Sequence, residues 1–152
     1  MKKSDLKDGV CPDHQTKPEK IKEKNYFFKL SKYKKRIEQL YESGIISIKP
    51  KSRANEVLAM LKDSEDISFS RPRKDLRWGI PVPGDDNQTI YVWADALPNY
   101  ISAIGYGTDN EKFEKYWPAD VHCIGKDIVK FHAIYWPAML LSLGLELPKL
   151  IF

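Results

Sequence analysis

Apolar residues at Phe27, Leu30, Tyr33, Ile37, Leu40 and Tyr41 recur mostly at steps of three and four, the spacing of one helical face. The pattern predicts an amphipathic helix that starts at Asn25, a residue able to cap it, and ends near Gly44. Lys32, Lys34, Lys35 and Arg36 fall mostly on its other faces. The short apolar run from Ile45 to Ile48 is closed by Pro50. Ala54, Val57, Leu58 and Leu61 then predict a second helix over Ser52 to Lys62, with these four residues inward. From residue 64 to 88 no helical period survives. Pro72, Pro81 and Pro83 forbid a continuous helix, and GDDN (84–87) is a turn signal, so strands and loops are expected.

The pattern changes again at TIYVWAD (Thr89–Asp95), a β-rich run. Residues 96–104 read as helical, VHCIG (Val121–Gly125) as a second strand, and Asp127 to Leu143 as one long helix ended by Gly144. LPKLIF opens a third strand. Strands alternating with helices across short links predict right-handed parallel crossovers in an α/β sheet. Three strands would leave an exposed sheet edge, so the chain is expected to be part of a larger domain. Residues 1–24, polar and lysine-rich, read as an extended entry segment, residues 25–88 as a linking segment of helix and strand, and 89–152 as the α/β unit.

Composition narrows the class. Of 152 residues, 42% are hydrophobic and 30% charged, which is globular rather than disordered. No apolar run is long enough to span a membrane, and MKKSDLKDG lacks the apolar core of a signal peptide. Cys11 and Cys123 are too few for a disulfide framework. A cytoplasmic protein without membrane partners is expected. The net charge of +4 is uneven: residues 1–62 carry 16 Lys and Arg against 8 Asp and Glu, the remainder 9 against 13. A basic first part suits either a solvated surface or a nucleic-acid partner.

Candidate chemistry gathers where strands end, because α/β sheets bind ligands beyond the carboxyl ends of their strands. The first run ends at Asp95, the second at Lys126 and Asp127. On the long helix, Asp127 and Phe131 are four residues apart, as are Ile128, His132 and Trp136, and such spacings share a face. Asp127 could cap the helix or hold a ligand's amino group, and His132 could be a core histidine or one wall of an aromatic site that suits a thioether. Arg71, Arg73, Lys74 and Arg77 follow a strand-like run and suit phosphate or carboxylate, or simply solvent. Cys11-Pro-Asp-His14 has the spacing of half a zinc knuckle with no second pair nearby, so neither zinc nor any other metal is expected to be held by this chain.

Taken together, NYFFKLSKY (25–33), ISFSRPRKDLRWGIPVPGD (67–85), YVWADALPNYISA (91–103) and HCIGKDIVKFHAIYWPAMLLSLGLELPK (122–149) closely resemble the methionyl-tRNA synthetase family of class I enzymes. The likeness runs from about Cys11 to Phe152. It implies the C-terminal half of a Rossmann-like nucleotide-binding fold, preceded by the end of that fold's inserted connective segment, and it makes the CPDH stretch a degenerate zinc knuckle. It implies activation of methionine by ATP, with Mg2+, to methionyl-adenylate, followed by transfer to tRNA. By the same resemblance Trp93, Ala96, Leu97, Tyr100, Phe131, His132 and Trp136 match the methionine side-chain pocket. Asp127 matches the carboxylate beside the ligand, and Lys126 and Arg71 match basic catalytic residues near the adenylate. Leu97 stands where many members have proline, which here follows as Pro98. The family's two ATP signature motifs have no counterpart in this sequence, so these 152 residues are expected to need the N-terminal half of the catalytic fold as a partner and to be inactive alone. Two other readings remain at this point: a class I synthetase for valine, isoleucine or leucine, and a non-catalytic module that binds an amino acid or RNA.

Overall fold

The structure is a computed structural model and describes residues 6–19 and 22–152. The expected entry segment therefore lies partly outside the described residues. Its described part is turns and extended chain, with Lys7 and Val10 bridged.

The first amphipathic period is realised only in part. Phe27–Phe28 forms β1, Leu30–Lys32 makes one 3-10 turn, and the helix α1 spans Lys34–Glu42. β1 pairs antiparallel with β3 (Ile67–Ser68), and the Phe28 ring stacks on Tyr33 and Phe69 at 5.6 and 5.0 Å. Asn25 does not cap a helix; its Nδ2 donates to Ser68 Oγ at 3.0 Å. Cross-strand pairing of these aromatics overrides the helical spacing of their sequence. Within α1 the period holds, and Ile37 and Leu40 are buried. Strand β2 (Ser47–Ile48) follows, and helix α2 (Lys51–Asp63) buries Val57 and Leu61.

Strands β4 (Ser70–Pro72), β5 (Pro81–Val82) and β6 (Asp85–Ile90) make an antiparallel sheet with β6 central. This corrects the expected parallel strand at Thr89–Asp95. The strand stops at Ile90, and Val92–Ala96 is helix α3. A short apolar run does not by itself separate strand from helix. Helices α4 (Asn99–Ser102) and α5 (Asn110–Tyr116) follow. The parallel sheet contains β2, β8 (Leu150–Ile151) and β7 (Val121–His122), in that order. The first parallel strand is thus β2, far earlier in the chain than expected, while β7 and β8 stand where they were expected.

The connection from β7 to β8 is helical from Lys126 to Leu143, but it is not one regular helix. Lys126–Ile128 is a 3-10 turn, Phe131–Tyr135 a π-turn, and α6 spans Trp136–Leu143. Pro137 supplies the reason. It has no N–H to give to the carbonyl four residues back, Ala133. That carbonyl instead accepts from Tyr41 Oη at 2.7 Å, a bond from α1 across 92 residues of chain. Burial raises the Tyr41 pKa far above its ordinary value, so the hydroxyl remains a donor. Gly144, at φ +69°, ends α6 in the left-handed conformation.

This segment separates two cores. Val129, Ala133, Ile134 and Ala138 face the residues of α1, α2, β2 and β8. Trp136, Met139 and Leu140 face Leu97, Ile101 and Trp117. We expect Tyr41→Phe to destabilise the fold by about 1–2 kcal/mol. In a Pro137→Ala background, where an N–H is restored, the same change should cost less. A urea-denaturation double-mutant cycle without coupling between the two positions would refute this account of the π-turn.

Candidate functional site

Helices α3 and α4 lay their aromatic side chains against the π-turn. The Trp93 indole stacks on Phe131 with centroids 3.8 Å apart and planes 10° apart, and meets His132 edge-on at 6.1 Å. A π-turn carries an extra residue in its hydrogen-bonded ring and so offsets the side chains on either side of it. Here Phe131 and His132 both face α3 and α4 while Ala133 and Ile134 face the other core.

Two imidazoles organise the site, and their partners fix their tautomers. His132 Nδ1–H donates to the Ile128 carbonyl at 3.0 Å, since a carbonyl can only accept. Nε2 therefore keeps its lone pair and accepts from Tyr100 Oη at 2.8 Å. His122 Nε2 accepts from the Trp136 indole N–H at 3.2 Å, which puts the ring proton on Nδ1. Tyr100 packs over His122 at 4.4 Å, and Trp117 meets Trp136 edge-on at 6.1 Å. Burial lowers the His122 pKa to about 4, with the neighbouring His132 adding to the effect. Burial also lowers that of His132, against a smaller opposing effect of the Ile128 carbonyl, and raises that of Tyr100. At neutral pH the cluster is two uncharged imidazoles, a protonated phenol and a set of aromatic rings, all of which suit an apolar, polarisable ligand group.

Of the residues read from the sequence, Trp93, Tyr100, Phe131, His132 and Trp136 are brought together by these contacts. Leu97 packs in the same core as Trp136. The Ala96 carbonyl accepts a hydrogen bond from Asn99 Nδ2. Leu97, His132 and Trp136 are closed to solvent, whereas Trp93, Ala96, Tyr100 and Phe131 are half-buried. Asp127 is exposed in the 3-10 turn that begins the helical segment, one residue after exposed Lys126. Lys126 lines a cavity of about 130 Å³ with Lys49 and Arg53, at the carboxyl ends of β2, β7 and β8. Arg71 lines a different cavity, of about 220 Å³, with Tyr91 and Lys130. Its guanidinium lies 4.6 Å over the Tyr91 ring, and Nη1 donates to Ser68 O, Ser68 Oγ and Ser70 O. Lys126 and Arg71 thus line two different cavities.

His122 was not among the sequence-derived site residues. Strand alternation places His122 and Cys123 on opposite faces but does not say which face is inward; the fold buries His122 and exposes Cys123. Cys11 Sγ lies 3.4 Å from His14 Nδ1, and among the described residues no group of three or more His, Cys, Asp or Glu is placed to hold a metal ion. No helix among the described residues is long and apolar enough to cross a membrane.

Comparison with known proteins gives the family. Residues 1–152 match the family model of the class I tRNA synthetases, type M. The chain is 53% identical over 151 residues to a methionine–tRNA ligase of Caldanaerobacter subterraneus subsp. tengcongensis, covering 98% of this chain and 23% of that protein. It is 52% identical over 150 residues to the methionine–tRNA ligase of Clostridium perfringens, covering 97% and 23%. Among solved structures it is similar to Mycobacterium tuberculosis methionyl-tRNA synthetase in complex with methionyl-adenylate, with a TM-score of 0.82, 43% identity, and coverage of 94% of this chain and 28% of that one. The chain thus spans about a quarter of the length of these relatives.

The neutral imidazoles have a pH signature. The His122 pKa falls from 6.5 in the open chain to about 4 in the fold. Between those values the unfolded chain binds the extra proton, so stability is complete above pH 6.5 and declines as pH drops toward about 4. The decline should be on the order of 2–3 kcal/mol. His122→Gln, which retains an acceptor for Trp136, should flatten the profile in that window and leave the smaller slope due to His132. An unchanged slope in urea midpoints measured across this range would contradict the assignment.

Proposed function

The chain belongs to the class I tRNA synthetases of type M, and from that membership we propose that it supplies the amino-acid-binding part of a methionine–tRNA ligase. The observation that carries the reading is the uncharged Tyr100–His132 pair within the Trp93, Phe131 and Trp136 rings. Such a site rewards a polarisable thioether and disfavours a charged side chain.

In this reading Trp93, Ala96, Leu97, Tyr100, Phe131, His132 and Trp136 surround the methionine side chain. Tyr100 directs its proton to His132, so the phenol oxygen offers the sulfur a weakly polar wall. His132 holds Tyr100 in place through a tautomer set by Ile128 O. Discrimination against an equally large hydrocarbon is modest, because a pocket gains only a few kcal/mol from such differences. Because Leu97, His132 and Trp136 are closed to solvent, the ligand enters past the half-buried Trp93–Phe131 stack.

Asp127 would pair with the methionine ammonium. The methionine carboxylate oxygen then attacks the α-phosphorus of ATP; the new O–P bond forms as the bond to the β-phosphate oxygen breaks and pyrophosphate leaves. Lys126 and Arg71 would stabilise charge on the phosphoryl oxygens, which is positioning and electrostatic work. Arg71 would have to leave its bonds at Ser68 and Ser70 to reach the nucleotide beside Lys126. Mg2+ would arrive with ATP and be held mainly by its phosphates. The ester to tRNA then forms as the ribose hydroxyl displaces AMP. The proposed organisation is a remnant connective segment over 1–24, a linking segment over 25–88 and the second half of the catalytic fold over 89–152. The N-terminal half of that fold is the proposed partner, and the cytoplasm the proposed compartment.

Ligand binding to the folded state alone raises its melting temperature. L-methionine should therefore raise the midpoint of the chain where L-valine does not, and Trp93→Ala should remove the shift. A shift with L-valine as large as with L-methionine would replace this reading with a synthetase for a branched amino acid.

A further inference from the structure

Trp78 is 88% exposed, the most exposed of the large hydrophobic residues among the described residues. It sits in the loop between β4 and β5, and that loop is firmly held. Arg73 N–H donates to Asn87 O at 2.8 Å, and Leu76 N–H to Pro72 O at 3.1 Å. Buried Thr89 donates its hydroxyl to Leu76 O at 3.0 Å. A Cβ on Gly79 would come within 2.5 Å of Thr89 Cγ2, and φ there is +138°, so only glycine lets the loop lie this close to β6. The indole is thus presented by a fixed loop.

Its neighbour in the loop, Arg77, lines an open groove of about 770 Å³. Lys22, Lys24, Arg73, Lys74 and Arg77 line it against only two acids, Glu23 and Asp86, with the amides of Asn87 and Gln88 on its floor. The second wall is also tied down. Gln88 Nε2 donates to Lys24 O at 2.7 Å, and Ser70 Oγ bonds Gln88 Oε1 at 2.6 Å. Both walls of a basic groove are therefore anchored to side chains of the same central strand, β6.

We propose that this groove and Trp78 hold an unpaired RNA strand, with phosphates along Arg73, Lys74 and Arg77 and a base stacked on the Trp78 indole. The inference rests on the reading that the protein acts on tRNA, and it names the surface that receives an unpaired segment of that substrate. Arginine forks match phosphate oxygens. A flat exposed ring beside a cationic track is the combination that binds single strands, since every base has a π-face. An acidic peptide would use the cations and leave the indole idle. Paired RNA would keep its bases stacked inside the helix and do the same.

The test is fluorescence anisotropy of a labelled, unpaired hexaribonucleotide of mixed sequence with the full chain, over a range of salt concentrations. Trp78→Ala should weaken binding by about 5- to 100-fold, whereas Trp78→Phe should retain most of it. Replacing Arg73, Lys74 and Arg77 by Gln should reduce the slope of log affinity against log salt by about 2. Lys35→Gln with Arg36→Gln, exposed on α1, should change neither quantity. Binding of a blunt RNA duplex should be indifferent to Trp78. Trp78→Ala binding as tightly as the parent, or loss of affinity by the α1 variant equal to that of the groove variant, would overturn the inference. A methionine-dependent melting shift alongside either result sinks this inference and leaves the amino-acid pocket standing. Trp78-dependent strand binding without a methionine shift does the reverse.

Discussion

Pro137 cannot donate to the Ala133 carbonyl, and the local geometry of the site depends on how that deficit is met. A buried carbonyl without a partner costs about 1–3 kcal/mol. Tyr41 meets the need from a helix remote in sequence, so α1 is locked to the segment that carries Phe131 and His132. The π-turn that accommodates the proline directs two consecutive aromatic side chains to one side and two apolar ones to the other. One omitted hydrogen bond therefore couples the first core to the second and sets the face that α3 and α4 must cover.

Inside the second core, polarity is admitted only where it is matched. His122 and His132 are buried, each with one ring nitrogen assigned by a partner that can play a single role. Burial lowers the pKa of both, and the neighbouring His132 lowers that of His122 further. The result is an aromatic cluster with fixed hydrogen-bond directions but no net charge, a combination that holds its shape and still presents an apolar surface. Positive charge lies elsewhere, on Lys126 beyond the parallel strands and on Arg71 above Tyr91.

Much of this was legible in the chain. The four-residue spacing of His132 and Trp136 put on one face two side chains that both meet Tyr100, and the stop at Gly144 was visible as a residue type. The family resemblance supplied the facing aromatics Trp93 and Tyr100, which no local pattern links to that helix. Reading failed where aromatic and β-branched residues are equally at home in strand and helix. Phe27–Phe28 looked like the first turn of a helix until β3 was there to pair with it. Tyr91 to Asp95 looked like a strand end, although pairing with β4 and β5 stops at Ile90. His122 had no signal of its own, because alternation gives two faces and not their fate.

By itself the sequence determined the class of the fold, the approximate extent of α2 and of the helix after Gly125, and the residue types that meet in the site. These follow from periodicity, from proline and glycine, and from motifs whose chemistry is local or inherited. Only the tertiary structure decided which strands pair, which histidine turns inward, where the long helix changes its turn, and that Lys126 and Arg71 stand apart. Each of those outcomes depends on a partner distant in sequence: Tyr41 for the orphaned carbonyl, Trp136 for His122, β8 for β2. A local pattern records what a residue can do, and burial against a remote neighbour selects which of those things it does.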